Sequence, residues 1–307
     1  MRFEEAPALK HPRRKAPPQE WAAYRQAVRK NNLSTYARRL LADLRLSLDE
    51  AGQPHKPLWI VGDASFCNRT LFRQPLERTE ILARARCDLK LCRRATQSTG
   101  RFYDVVKFTP EQVRQDASLP WSKARVFHGG QWRKLRYKEV TGIYWQSGAC
   151  QRPLRLLVVA PTPYQTPGRC RKYYRRPAFL LTTDLRGTAR EMLQAYCDRW
   201  QIEVNHREEK DTLGVGQAQL RSPLSVPRQP AFAVAAYSAL LLAGLLTFGP
   251  NRISGYQPLP KWRRNAHRPS CLDLLTLLRK EIAQTPSALD AFGINVGWKS
   301  LGLSAAA

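Results

Sequence analysis

Residues 189–214, AREMLQAYCDRWQIEVNHREEKDTLG, read as part of one long helix starting near Thr188 and stopping before the glycines 214 and 216. Tyr196, Arg199, Glu203 and Lys210 follow one another at spacings that, at about 100° per residue, return to nearly the same angle. The four side chains then share one stripe. A carboxylate with an arginine one turn before it and a lysine two turns after it suits a divalent ion held beside nucleic-acid phosphates. The same residues could also form intrahelical Arg–Glu and Glu–Lys pairs on a solvated face.

The rest of the chain supplies the context. Its 307 residues carry 51 Lys and Arg against 24 Asp and Glu, a net charge of +27. With 43% hydrophobic residues and 8 Trp, this is a folded domain or two rather than a disordered basic tail. Such a charge attracts polyanions, nucleic acid first and an acidic membrane surface second. The seven cysteines are scattered and form no Cys-x-x-Cys pair, so neither a disulfide framework nor a zinc ribbon is legible, and a reducing compartment is the simplest reading. The first residues, MRFEEAPALKHPRRKAP, hold no apolar core of a signal peptide, which points to a cytoplasmic protein. Residues 231–249, AFAVAAYSALLLAGLLTFG, have the length of a membrane span but stand alone in a basic, soluble-looking chain. They are read as a buried helix, with no membrane partner.

Upstream, a helix is expected over residues 33–52, capped by Asn32 or Ser34, with Leu40, Leu41, Leu44, Leu46 and Leu48 as its apolar face. PLWIVGD then reads as a strand buried on both faces and ending in Asp63, and TEILARARCD as a second strand. From about Leu89 to Arg176 the runs WRKLRYKEV, TGIYWQ and PLRLLVVAP suggest a β-rich insertion. Trp145, in TGIYWQ, is read either as a core residue of a small sheet or as a platform for an unpaired base. CLDLLTLLRKEIAQ closes the pattern as an amphipathic helix.

In identity and spacing, Tyr196-x2-Arg199-x3-Glu203-x6-Lys210 resembles the Y-(2)-R-(3)-E-(6)-K pattern of bacterial insertion-sequence transposases of the DDE, RNase H-like superfamily. The resemblance extends over about residues 33–250. It implies an α/β fold in which residues 1–88 are a partial RNase H-like core and 89–176 a β-rich insertion. Residues 177–255 would complete the core with the catalytic helix and the buried helix, and 256–307 would be a tail with an amphipathic helix. Glu203 then resembles the last of three metal-binding acids and Asp63 the second, while Tyr196, Arg199 and Lys210 resemble the residues that contact transposon-end DNA. Asp184, in LLTTDL, is the weaker competitor for the second acid. The implied cofactor is Mg²⁺, with Mn²⁺ as a substitute, used as two ions about 4 Å apart that serve the attacking and leaving oxygens. Asp63 and Glu203 would therefore have to converge. The implied partners are double-stranded DNA at the transposon ends and a second copy in a synaptic homodimer, at the nucleoid.

The first acid of that triad is not found. No strand ending in Asp precedes the helix at 33–52, and RFEEAP resembles the end of the third core strand, so the expectation is an N-terminally truncated transposase whose chain begins inside the fold. Two further readings stand beside an active transposase: an inactive remnant that still binds DNA, and a non-enzymatic basic DNA-binding protein in which the helix pattern is incidental.

Overall fold

Asn32 begins the first long helix as expected, its side chain accepting from the Thr35 amide. The computed structural model describes residues 10–74, 76–96, 100–129, 131–165, 171–249 and 269–284. RFEEAP and most of the 256–307 tail lie outside the described residues. The chain divides into two compact units, residues 1–199 and 200–307.

The first unit starts with α1 (Pro18–Lys30) and α2 (Leu33–Glu50). The buried face of α2 is not the leucine stripe. Leu40, Leu44 and Leu46 are exposed, whereas Leu41 packs on the core and Arg45 is buried. Arg45 is the cause: its guanidinium donates to the carbonyls of Lys56 and Gln53 and to the Asp49 carboxylate, which ties the helix to the turn that follows it. Leu41, one turn earlier, shares that face.

Strands β1 (Leu58–Gly62) and β2 (Thr79–Ala85) pair in parallel, from Leu58 opposite Thr79 to Gly62 opposite Ala83. The crossover between them holds a 3-10 turn at Ala64–Phe66 and the short helix α3 (Arg69–Phe72). β3 (Leu91–Arg94) and β4 (Tyr103–Phe108) form a separate two-stranded sheet, followed by α4 (Pro110–Gln115). Then come β5 (Ser122–His128), β6 (Gln131–Ile143), the one-turn helix α5 (Gln146–Ala149) and β7 (Leu154–Val159). The hairpin of β8 (Pro163–Gln165) and β9 (Lys172–Tyr174) leads to β10 (Ala178–Thr182).

The main sheet runs β1-β2-β10-β7-β6-β5, with β1 and β2 its parallel pair and antiparallel pairing elsewhere. Residues 89–176 are thus not a separate sheet set into the core, because β5, β6 and β7 share the sheet of β1 and β2. β7 shows why. LRLLVV is buried at all six positions, the pattern of a central strand covered on both faces.

Alternate side chains of the sheet feed two cores. Ile81, Leu156 and Leu181 meet Leu71 and Phe72 of α3, Val113 of α4 and Trp145 on one face. Leu82, Leu157 and Leu180 meet Ala189, Met192 and Leu193 on the other.

Those last three belong to α6 (Ala189–Asp198), which opens with a capping box between Thr188 and Glu191. The single long helix expected over 188–211 is interrupted. The Arg199 amide divides between the Ala195 and Cys197 carbonyls, a tightened last turn, and α7 (Gln201–Asp211) begins after Trp200.

In the second unit, α7 packs on α8 (Ser225–Phe248), and α8 packs on α9 (Cys271–Gln284). Gly244 of α8 makes room there, since a Cβ on it would come within 3.0 Å of the Leu274 side chain. The expectation of a buried helix at 231–249 fails. Ala233 and Tyr237 are buried in α8, while Phe232, Leu242 and Leu246 are exposed. A helix apolar on all sides needs cover on all sides, and its main packing partners among the described residues are two helices. α8 is long and apolar enough to cross a membrane.

Candidate active site

Asp63 follows β1 directly. Its Oδ1 accepts from the Ser65 amide at 2.8 Å, capping the 3-10 turn, and the residue is exposed. The turn is held tightly on both sides. Gly62 lies where a Cβ would stand 2.7 Å from Phe66 Cβ, so a side chain there would displace the turn. Asn68 caps α3 through the Thr70 and Leu71 amides, and its Nδ2 donates to Ser34 Oγ of α2 at 2.7 Å. β1 is not the strand buried on both faces that PLWIVGD suggests: it is half-buried and, among the described residues, lies at the edge of the sheet. An acid at its carboxyl end, on a turn this constrained, presents its carboxylate at a fixed place.

Asp184 lies at the other end of the sheet. Thr182 sits opposite Leu82, the Thr183 amide donates to the Ile81 carbonyl, and Ile81 faces Ile60 of β1. The chain at Asp184 has therefore run back to the start of β1, roughly 13 Å from its end at about 3.3 Å per residue. The Asp184 Oδ1 is taken by the amides of Arg186 and Gly187, and the helix cap proper is Thr188. Asp184 shapes a turn and does not join Asp63.

Tyr196 sits half-buried on the margin of the α6 core, and Arg199 ends that helix. Both belong to the first unit. Glu203 and Lys210 belong to the second and are exposed, on the first and last turns of α7. Each has the sign the helix dipole favours at that end. Seven residues apart, they share one face of α7.

The opposite side of α7 is anchored. The Tyr237 hydroxyl, on α8, donates to Glu208 Oε2 at 2.7 Å and stands 3.0 Å from the Asn205 amide oxygen. Burial, reinforced by the hydrogen bond to Glu208, pushes the Tyr237 phenol above its usual range, so it remains a donor at physiological pH. This anchor was not legible in the sequence, where Tyr237 appears as a polar interruption of an apolar run. The signal that could have found it is the pairing of such an interruption with the Asn205-x2-Glu208 step on a neighbouring helix.

Trp145 is 8% exposed and meets Phe72 edge to face, with ring centroids 5.8 Å apart. It belongs to the core beside α3, which leaves no open ring face for a base.

Asp63 and Glu203 offer the hard carboxylate oxygens that Mg²⁺ accepts. Among the described residues, however, no group of three His, Cys, Asp or Glu side chains is placed to hold a metal ion.

The family model of the transposase DDE domain matches residues 24–238, which takes in β1 with Asp63, the whole main sheet, and α6 and α7 with Glu203. The chain belongs to the DDE transposase family. No curated protein matches it.

Proposed function

We propose that this DDE transposase binds transposon-end DNA through Tyr196, Arg199 and Lys210, with Asp63 and Glu203 as two of the three acids of its cleavage and strand-transfer chemistry. In this reading β1 and β2 are the parallel strands of an RNase H-like core, and a homodimer pairs the two ends. The observation that carries it is the position of Asp63, held on a rigid turn at the carboxyl end of β1 within the matched segment. Because only two of the three acids are identified in the sequence, DNA binding is expected without cleavage.

The test separates the two. Log affinity for a duplex should fall linearly with log salt, and Lys210→Ala should make that slope shallower by about one unit, since one lost phosphate contact releases roughly one counterion fewer. Cleavage of the same duplex in Mg²⁺ should be undetectable. Robust Mg²⁺-dependent cleavage by these 307 residues, abolished by Glu203→Gln, would show that another acid completes the site.

A further inference from the structure

Across the β5–β6 hairpin Lys123 stands directly opposite Arg136, and Arg125 directly opposite Lys134. All four are exposed. They lie on one face, because Ala124, Val126 and Leu135 take the other, where they pack on α6. Like charges directly opposite on a sheet are destabilising, and here two such pairs follow one another. Among the described residues none of the four forms a salt bridge with an acid. Glu139 is the sole acid between residues 117 and 183, and it is paired with Arg155 at 2.7 Å.

The cations are steadied by aromatic rings instead. Arg125 lies 5.1 Å over Trp132 and Arg136 5.1 Å over Trp121, contacts that fix the guanidinium groups while leaving their edges open to hydrogen-bond acceptors. Beside Lys134 and Arg136 a cleft of about 400 Å³ opens, its far wall made by Pro161, Pro163 and Tyr174. Same-face neighbours along each strand repeat about every 6.8 Å, a step comparable with that of successive phosphates along a nucleic-acid strand.

We propose that this face of the β5–β6 hairpin, with its adjoining cleft, seats the phosphodiester backbone of duplex DNA. The contact is separate from the one at Tyr196, because α6 packs on the opposite face of the sheet. The proposal rests on the DNA-binding reading above, but not on the residues that carry that reading.

The testing variant is Lys123→Ala/Lys134→Ala, which removes one member of each like-charged pair and leaves both stacked arginines in place. With a short random-sequence duplex, its slope of log affinity against log salt should be shallower by about two units, additive with the effect of Lys210→Ala. Its melting temperature should rise, because the repulsion is relieved while no core contact is lost. Duplex binding with an unchanged slope overturns this proposal and leaves the earlier reading standing. A lowered melting temperature overturns it as well, since the lysines would then serve the fold. Wild-type protein that binds no duplex overturns both readings. Binding to phosphatidylserine vesicles but not to the duplex would give the face to a membrane surface and likewise end the proposal.

Discussion

A Cβ on Gly148 would lie 2.2 Å from the Trp145 ring, so the indole is clamped between the Gly148 backbone and Phe72. Trp145→Ala is therefore expected to lower stability by about 3–5 kcal/mol, the usual cost of emptying a buried aromatic site, measured by chemical denaturation. A loss of duplex affinity with unchanged stability would contradict that. The sequence left Trp145 open between a core role and a base platform, since an aromatic residue among strand formers serves either. Burial decided it, and burial depends on Phe72, more than seventy residues away in the chain. His128 gives a second residue-scale test. Burial, helped by Arg175 and Arg133, holds its imidazole below the ordinary value of 6.5. The unfolded chain thus takes up the proton first, so this group's stabilising contribution is complete above pH 6.5 and declines as pH falls below it. His128→Asn should show a smaller drop in melting temperature than wild type between pH 7 and pH 5. An equal drop would mean that the imidazole is not coupled to folding.

At the scale of elements, the sequence was most informative where local chemistry acts alone. Asn32 capping α2, the strand before Asp63 and the amphipathic α9 follow from caps and periodicity within a few residues. It was least informative where a distant partner overrides the pattern. Arg45 turned α2 away from its leucine stripe by reaching the carbonyls of the following loop, and the same offsets that suggested one helix over 188–211 fit α6 and α7 separately. The anchor of α7 belongs to this class. Tyr237→Phe removes the hydroxyl shared by Glu208 and Asn205, leaving two acceptors without their donor, at a cost of about 1–3 kcal/mol. Hydrogen exchange should then quicken through α7 more than through α6. Uniform protection in both helices would mean that Tyr237 does not hold α7.

At the scale of the whole molecule, the mixed α/β architecture was legible from hydrophobic periodicity and the basic charge from composition, while Asp63 and Glu203 were proposed from motif and order. The way the sheet is assembled was not, because strand order depends on pairings between segments far apart in the chain. β10 is the element that matters most here. It lies between β2 and β7, and among the described residues it is the strand through which the β1–β2 pair and the β5–β6–β7 meander join in one sheet. The meander needs only neighbouring segments, whereas setting Phe179 opposite Ala85 closes a loop running from residue 86 to residue 178. Pairings of that span form slowly, because the entropy of closing the loop is lost before its contacts are gained. Refolding should therefore proceed in order of span, with amides across β5, β6, β7 and β10 acquiring protection in pulse-labelled exchange before those that pair β2 with β10. Simultaneous protection would contradict this order. Until β10 pairs with β2, both of these strands present bare backbone edges, so an interval of vulnerability to strand exchange and aggregation during refolding is inherent in this sheet order.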